Sequence, residues 1–276
     1  MDWFKTQARR LREKSIDSQW ILENEKRLKI KELGCGGCGK TQLWNLPGHD
    51  GPVVLKNIFD PNTRETDCLR EAQILDTLKG AGGAPRLLGL SPEIGCYFMS
   101  FLGLEDLETL SHNQETGGEK LDDLFWLKAI ENVIQNLISI HKKGIIHLDF
   151  KQNNVMVDRT DPKNPKTAII DFGLSVRPGQ PWVYGDYEKN RVDKFLQFNP
   201  WNSYEAAMGQ PVTTKSDVVG VALLIKQVIE NMDRQPHQLM TLALKGLSRD
   251  PKDRPDLKTY LRTTKKIIKL FTAKFG

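Results

Sequence analysis

The stretch over residues 144–173, GIIHLDFKQNNVMVDRTDPKNPKTAIIDFG, constrains this chain more than any other. Two short apolar runs within it, residues 154–158 and 168–171, are bounded by Asn, Asp, Pro and Gly and read as paired strands. Pairing them would gather the polar ends carrying His147, Asp149, Lys151, Asn154 and Asp171 on one side. Carboxylates, an amide and a lysine grouped in this way suit phosphoryl transfer. A carboxylate orients a hydroxyl, a lysine neutralises charge, and an Asp and an Asn hold magnesium.

His147-Leu148-Asp149-Phe150-Lys151-Gln152-Asn153-Asn154 resembles the catalytic loop of protein kinases, and Asp171-Phe172-Gly173 resembles their metal-binding triplet. The resemblance implies that Asp149 orients the substrate hydroxyl and accepts its proton, that Lys151 steadies the migrating phosphoryl charge, and that Asn154 and Asp171 hold Mg2+. His147 is expected to pack and hydrogen-bond rather than catalyse. Phosphotransferases acting on small molecules such as aminoglycosides or choline carry a similar loop, so later residues must arbitrate. Ser203-Tyr204-Glu205 stands where protein kinases have Ala-Pro-Glu, followed by Lys215-Ser216-Asp217-Val218 and Asp253-Arg254-Pro255. The resemblance makes Glu205 and Arg254 a buried ion pair and Asp217 a brace beneath the loop.

Upstream, residues 27–33 alternate like a strand and run into Gly34-Cys35-Gly36-Gly37-Cys38-Gly39-Lys40-Thr41, which satisfies both G-x-G-x-x-G and the P-loop pattern G-x-x-x-x-G-K-T. A P-loop needs a helix starting at the Lys-Thr, and Pro47, Gly48, Gly51 and Pro52 leave no room for one. Two strands, residues 40–45 and 52–57, fit better. Kinase resemblance then assigns Gly34, Gly36 and Gly39 to the ATP phosphates, and Lys56 to the same phosphates with Glu71 as its ion-pair partner. It places Val54, Met99 and Phe101 against the nucleotide, with Met99 as gatekeeper and residues 102–105 as hinge. Thr41 departs from the valine usual over the adenine.

Between these motifs, Asp60-Pro61-Asn62-Thr63 signals the start of a helix that Gly80 ends, with Cys68, Leu69, Ala72, Leu75 and Leu78 at helical spacing. Strands are expected at residues 86–90 and 95–101, a surface loop at 112–120, and a buried helix at 124–141 with Trp126, Ile130, Val133, Leu137 and His141 on one face.

With 276 residues, 39% hydrophobic and 27% charged, the chain can bury ordinary cores, which excludes a fully disordered class. The formal charge of +5 demands no nucleic-acid partner. The start of the chain lacks a secretory signal and no run is long enough to span a bilayer, so an intracellular, cytoplasmic protein is expected and membrane association is not. Cys35, Cys38, Cys68 and Cys96 read as reduced thiols; Cys35 and Cys38 form a lone C-x-x-C, too little for zinc, with an oxidative disulfide as the alternative. The expected fold is α+β and bilobal, with residues 1–26 as a helical extension, 27–101 as an antiparallel-sheet lobe with one long helix, and 102–276 as a mainly helical lobe. In the extension, Trp3, Phe4, Leu11, Trp20, Ile21 and Leu22 read as the apolar positions of one or two amphipathic helices packed on the first lobe, with a docking or membrane-surface role as the alternative. Residues 257–275 form a basic amphipathic helix that closes the second lobe, with a membrane surface as its alternative role.

The resulting expectation is a serine/threonine-directed protein kinase using ATP and Mg2+ on protein substrates, with a nucleotide-binding scaffold or a tyrosine or dual-specificity kinase as alternatives. Lys151 favours the serine/threonine branch. Phe198 stands where that branch has a threonine touching the catalytic aspartate, and Trp201 is tyrosine-kinase-like. Leu148 replaces the arginine that in many kinases receives an activation-loop phosphate, and residues 176–202 contain no serine or threonine. Activation by phosphorylation at such residues is therefore not expected; Tyr184 and Tyr187 are the acceptors left in that span. The short connection after residue 231 lacks the additional substrate-docking helix usual in the family.

Overall fold

The computed structural model describes residues 9–36, 39–182, 185 and 188–275, whose contacts divide into two units. One takes residues up to 80 together with 84–102, and the other takes 81–83 with everything from 103 onward.

The first unit holds α1 (Ser18–Leu28), β1 (Lys29–Gly36), β2 (Gly39–Trp44), β3 (Val53–Ile58), α2 (Arg64–Leu78), β4 (Leu87–Ser91) and β5 (Cys96–Ser100). The strands form one antiparallel sheet in the order β1-β2-β3-β5-β4. Alternation along β3 sends Val53 and Leu55 to one face, Val54 and Lys56 to the other. Val53 and Leu55 join Trp44, Leu46, Cys96, Phe98 and Ile21 of α1 in a buried cluster. The opposite face meets α2, whose Glu71 reaches Lys56. A strand covered on both faces has little use for polar alternation, which is why β3 is almost wholly buried.

Residues 14–16 pair with the free edge of β4: Ile16 N donates to Leu90 O at 2.8 Å and Leu90 N to Lys14 O at 3.0 Å. Ile16 lies so close over β4 that a Cβ on Gly89 would fall 2.2 Å from its Cδ1. Trp3 and Phe4 fall outside the described residues. The first strand starts later than residue 27 because Asp17 caps α1, accepting from Trp20 N at 3.0 Å, and Lys26 and Arg27 suit the helix C-terminus. Leu28 therefore ends a helix. Lys40 and Thr41 lie in β2, so the helix that a P-loop requires is absent there.

The second unit holds α3 (Leu107–Glu115), α4 (Asp123–Lys142), β6 (Val155–Asp158), β7 (Lys166–Ile169), α5 (Lys189–Phe198), α6 (Tyr204–Ala207), α7 (Ser216–Glu230), α8 (His237–Gly246) and α9 (Leu257–Phe275). Its core is built around α4, whose Trp126, Ile130, Val133 and Leu137 are buried, with α7, α9 and β7 packed against it. Residues 112–115, expected in a loop, complete α3 instead: Asp106 caps its start by accepting from Thr109 N at 2.9 Å, and Thr116 caps its end, its N and Oγ1 donating to His112 O at 3.0 and 2.9 Å.

The second strand of the hairpin is also earlier than expected. Asn132 and Asn136 of α4 take up the polar edge of Thr167, through Thr167 N to Asn132 Oδ1 and Asn136 Nδ2 to Thr167 O, both 2.6 Å. That draws Lys166 and Thr167 into β7, while Asp171 turns to φ +63° and leaves it. Among the described residues no helix is long and apolar enough to cross a membrane.

Candidate active site

In the first unit, Lys56 Nζ donates to both carboxylate oxygens of Glu71, at 2.9 and 3.0 Å, and both residues are buried. The pair is set by β3, which turns Lys56 toward α2, and by α2, which presents Glu71 one turn before Leu75. Gly36 stands opposite Gly39 where β1 pairs with β2, and residues 37 and 38 lie outside the described set. Gly39 is required by packing: a Cβ there would meet Asn57 O at 2.2 Å. Gly36 has open space around it, so its lack of a side chain leaves backbone amides approachable.

Lys40, the phosphate lysine of the discarded P-loop reading, is tied to Glu32 at 2.5 Å. Hydrogen bonds from Lys40 and then Lys29 hold the exposed Glu32 carboxyl below its ordinary range. Val54 is buried opposite Met99, and Met99 and Phe101 are half-buried.

The second unit gathers Asp149, Lys151 and Asn154. Asn154 Nδ2 donates to Asp149 O at 2.8 Å and to Asp149 Oδ2 at 2.9 Å, and Lys151 Nζ lies 3.2 Å from the same Oδ2. With one oxygen so engaged, Asp149 Oδ1 has no hydrogen-bond partner among the described residues and is open to accept a proton. Asp171 is brought alongside through the hairpin, where Val155 pairs with Ile169 and Ile170 N donates to Asn154 O at 3.0 Å. Phe172 is buried behind it, its ring 5.0 Å from that of His147. His147 is fully buried, with Nε2 at 3.0 Å from Ile170 O. It acts as a strut between the loop and residues 170–173.

Asp217, in the first turn of α7, holds the loop from below, accepting from His147 N and Leu148 N at 2.8 Å each and from His141 Nε2 at 2.7 Å. Burial pushes its carboxyl up, yet these donors together bring it below its ordinary value. Glu205 behaves in the same way: burial raises it, and the Arg254 guanidinium more than offsets that. Arg254 Nη1 and Nη2 reach Glu205 at 2.7 and 2.8 Å, and its remaining N–H groups reach the carbonyls of Ser248, Lys215 and Arg249. All five guanidinium donors are thereby used.

Two features escaped the sequence. Phe198 ends α5 with its side chain 72% exposed, and the aromatic ring over Lys151 is that of Trp201, 4.7 Å from Nζ. The WNSYE context placed Trp201 in the right segment without giving its direction. Gly220 of α7 was missed altogether: a Cβ there would meet Phe150 O at 2.3 Å, so the helix touches the loop backbone directly. A glycine inside an apolar helical run was the available signal.

Asn154 Oδ1 carries no hydrogen bond in the described structure, and Asp171 adds a carboxylate. Two hard oxygen donors fit magnesium, which takes few protein ligands and completes its shell with water and phosphate. Cys68 and Cys96 are buried free thiols, Cys96 pushed up to about 12 by burial, and Cys35 is exposed. Cys38 lies outside the described residues. No cluster of three metal-binding side chains occurs among those described.

Comparison with known proteins gives one consistent answer. The model of the protein kinase domain matches residues 28–264. The chain is 24% identical to the "Probable serine/threonine-protein kinase kinX" of Dictyostelium discoideum, over 92% of this chain and 24% of that protein. It is 22% identical to the serine/threonine-protein kinase PknD of Protochlamydia amoebophila, over 89% of this chain and 27% of that one. A tyrosine-protein kinase, SRK2 of Spongilla lacustris, is 25% identical over 86% of this chain and 68% of its own length. The chain thus spans about a quarter of the length of the first two relatives. A match over most of its length, on a sheet unit with a buried Lys–Glu pair and a helical unit with an Asp–Lys–Asn loop, means that this chain belongs to the protein kinase domain family.

Proposed function

We propose that this chain transfers the γ-phosphoryl group of ATP to serine or threonine hydroxyls of protein substrates. The observation that carries this reading is the Asp149 carboxylate: Lys151 and Asn154 occupy Oδ2, leaving Oδ1 to orient a hydroxyl and take its proton. Lys151 stands beside that carboxylate, where its ammonium can meet the anionic group in transfer. Lys56, held by Glu71, is the cation for the ATP phosphates, and the glycines of β1 and β2 offer amides to them. Val54, Met99 and Phe101 take the nucleotide. Magnesium, held by Asn154 and Asp171, would neutralise phosphate charge when bound.

The serine/threonine preference rests on Lys151 and on the names of most relatives, and phosphoamino-acid analysis decides it against tyrosine. Labelled ATP with magnesium is expected to give phosphate incorporation by the wild type. Asp149→Asn should lower it by at least about a hundredfold, the scale of a lost general base, and Asp171→Asn should abolish it. ATP binding without incorporation would favour a scaffold.

Control by serine or threonine phosphorylation within residues 176–202 is ruled out by composition. The tyrosines there, outside the described residues, are assigned no activating role because Leu148 offers a phosphate no charge. Joint Tyr184→Phe and Tyr187→Phe substitution should leave activity within about twofold, well under the tenfold that one phosphate-ordering ion pair would represent. A large loss would refute it.

A further inference from the structure

Lys151 is held from two sides. Its Nζ lies 3.2 Å from Asp149 Oδ2 and 4.7 Å from the centre of the Trp201 ring. An indole face attracts an ammonium through its quadrupole, more strongly than the other aromatic rings do. Unlike a second carboxylate, it fixes the cation without neutralising it. The Trp201 Nε1–H is buried and has no hydrogen-bond partner among the described residues, so packing and the cation orient the ring. Both side chains border a cleft of about 510 Å³ that Glu108, Glu115 and Glu230 also line. A lysine released from the indole would be exposed to that acidic cleft.

We infer that Trp201 is a positioning residue for Lys151, clamping its ammonium against Asp149 so that the charge points at the transferred group. The functional half of this inference rests on the phosphotransfer role proposed for Lys151; the placement does not.

The test uses the full chain and two readouts. Acetylation of Lys151 by N-hydroxysuccinimide acetate, followed by peptide mass spectrometry, is expected to be several-fold faster in Trp201→Ala than in wild type and close to wild type in Trp201→Phe, which keeps an aromatic face. In phosphate incorporation, Trp201→Ala should lower kcat roughly tenfold, the size of a partly desolvated cation–π contact, with KM for ATP unchanged. In a Lys151→Ala background the same change should cost nothing further. If Trp201→Ala does not fold, Trp201→Leu removes the ring face while keeping bulk. Unchanged acetylation in a variant that melts like wild type, or an equal loss of kcat with and without Lys151, overturns the inference. A wild type that incorporates no phosphate would refute the kinase reading, and the acetylation rates would still decide where Trp201 holds Lys151.

Discussion

Leu148 sits at φ +65°, a left-handed conformation that costs a leucine about 1–2 kcal/mol. Two contacts offset that cost. Its N–H donates to Asp217 Oδ1, and its side chain is buried with Ile146, Val176, Trp182, Ala206 and Val212. Where many kinases carry a cation to meet a phosphate, this chain has an apolar cluster already closed. Leu148→Arg would bring a guanidinium among the apolar side chains of Ile146, Val176, Trp182, Ala206 and Val212, and is expected to destabilise by about 3 kcal/mol or more. That is a fall in Tm of roughly 6–12 °C for a protein of this size, readable by differential scanning fluorimetry. An unchanged Tm would mean that the arginine escapes to solvent and the cluster is not closed. The sequence showed the substitution at 148 but not its backbone, because the partner that holds it lies about 70 residues on. Trp201 and Phe198 teach the same point: motif order places an aromatic in the segment, while tertiary packing decides which ring meets Lys151. Lys56 and Glu71 were readable as a pair because each sits in an element with a strong pattern.

α7 governs the loop of residues 147–154 at two heights. Its first turn supplies Asp217 to the backbone of His147 and Leu148, and one turn on Gly220 lets the helix lie against Phe150. Glycine inside a helix costs about 1 kcal/mol relative to alanine, so propensity alone would favour replacing it. Contact decides otherwise. In Gly220→Ala the new Cβ would stand 2.3 Å from Phe150 O and 2.8 Å from Phe150 Cβ, and the loop or the helix must yield. The expected cost is about 1–3 kcal/mol of overpacking. Hydrogen exchange should rise in peptides covering residues 144–155 and stay unchanged in those of β1 to β5, with phosphate incorporation falling alongside. A variant more stable than wild type would show that propensity prevails. Long elements such as α4 and α7 were legible from periodicity, whereas the edges of α3 and β7 were not. Those edges depend on a cap and on two asparagines from another helix, neither visible in the residues of the element itself.

For the chain as a whole, the α+β class was legible because the motifs run in one order along nearly its full length, which the domain match over residues 28–264 reflects. The distribution of buried charge was less so, and it carries a consequence for acid stability. Glu205 and Asp217, both in the second unit, are buried carboxylates whose donors outweigh the effect of burial and leave them below their ordinary values. A carboxyl lowered in the folded state stabilises fully above its unfolded value, near 4, and that stability is lost as pH falls through the folded value. Acidification below about pH 4 should therefore strip hydrogen-exchange protection from residues 103–276 before residues 29–80. Glu205→Gln separates this from general acid damage. At neutral pH the variant leaves Arg254 without its counter-charge and should be less stable by about 3 kcal/mol. It has no carboxyl to protonate at that position, so its stability should fall less steeply with acid than that of wild type. The two unfolding curves should converge as pH drops, whereas a constant gap between them at every pH would mean that the Glu205–Arg254 pair contributes shape alone and that the acid sensitivity resides elsewhere.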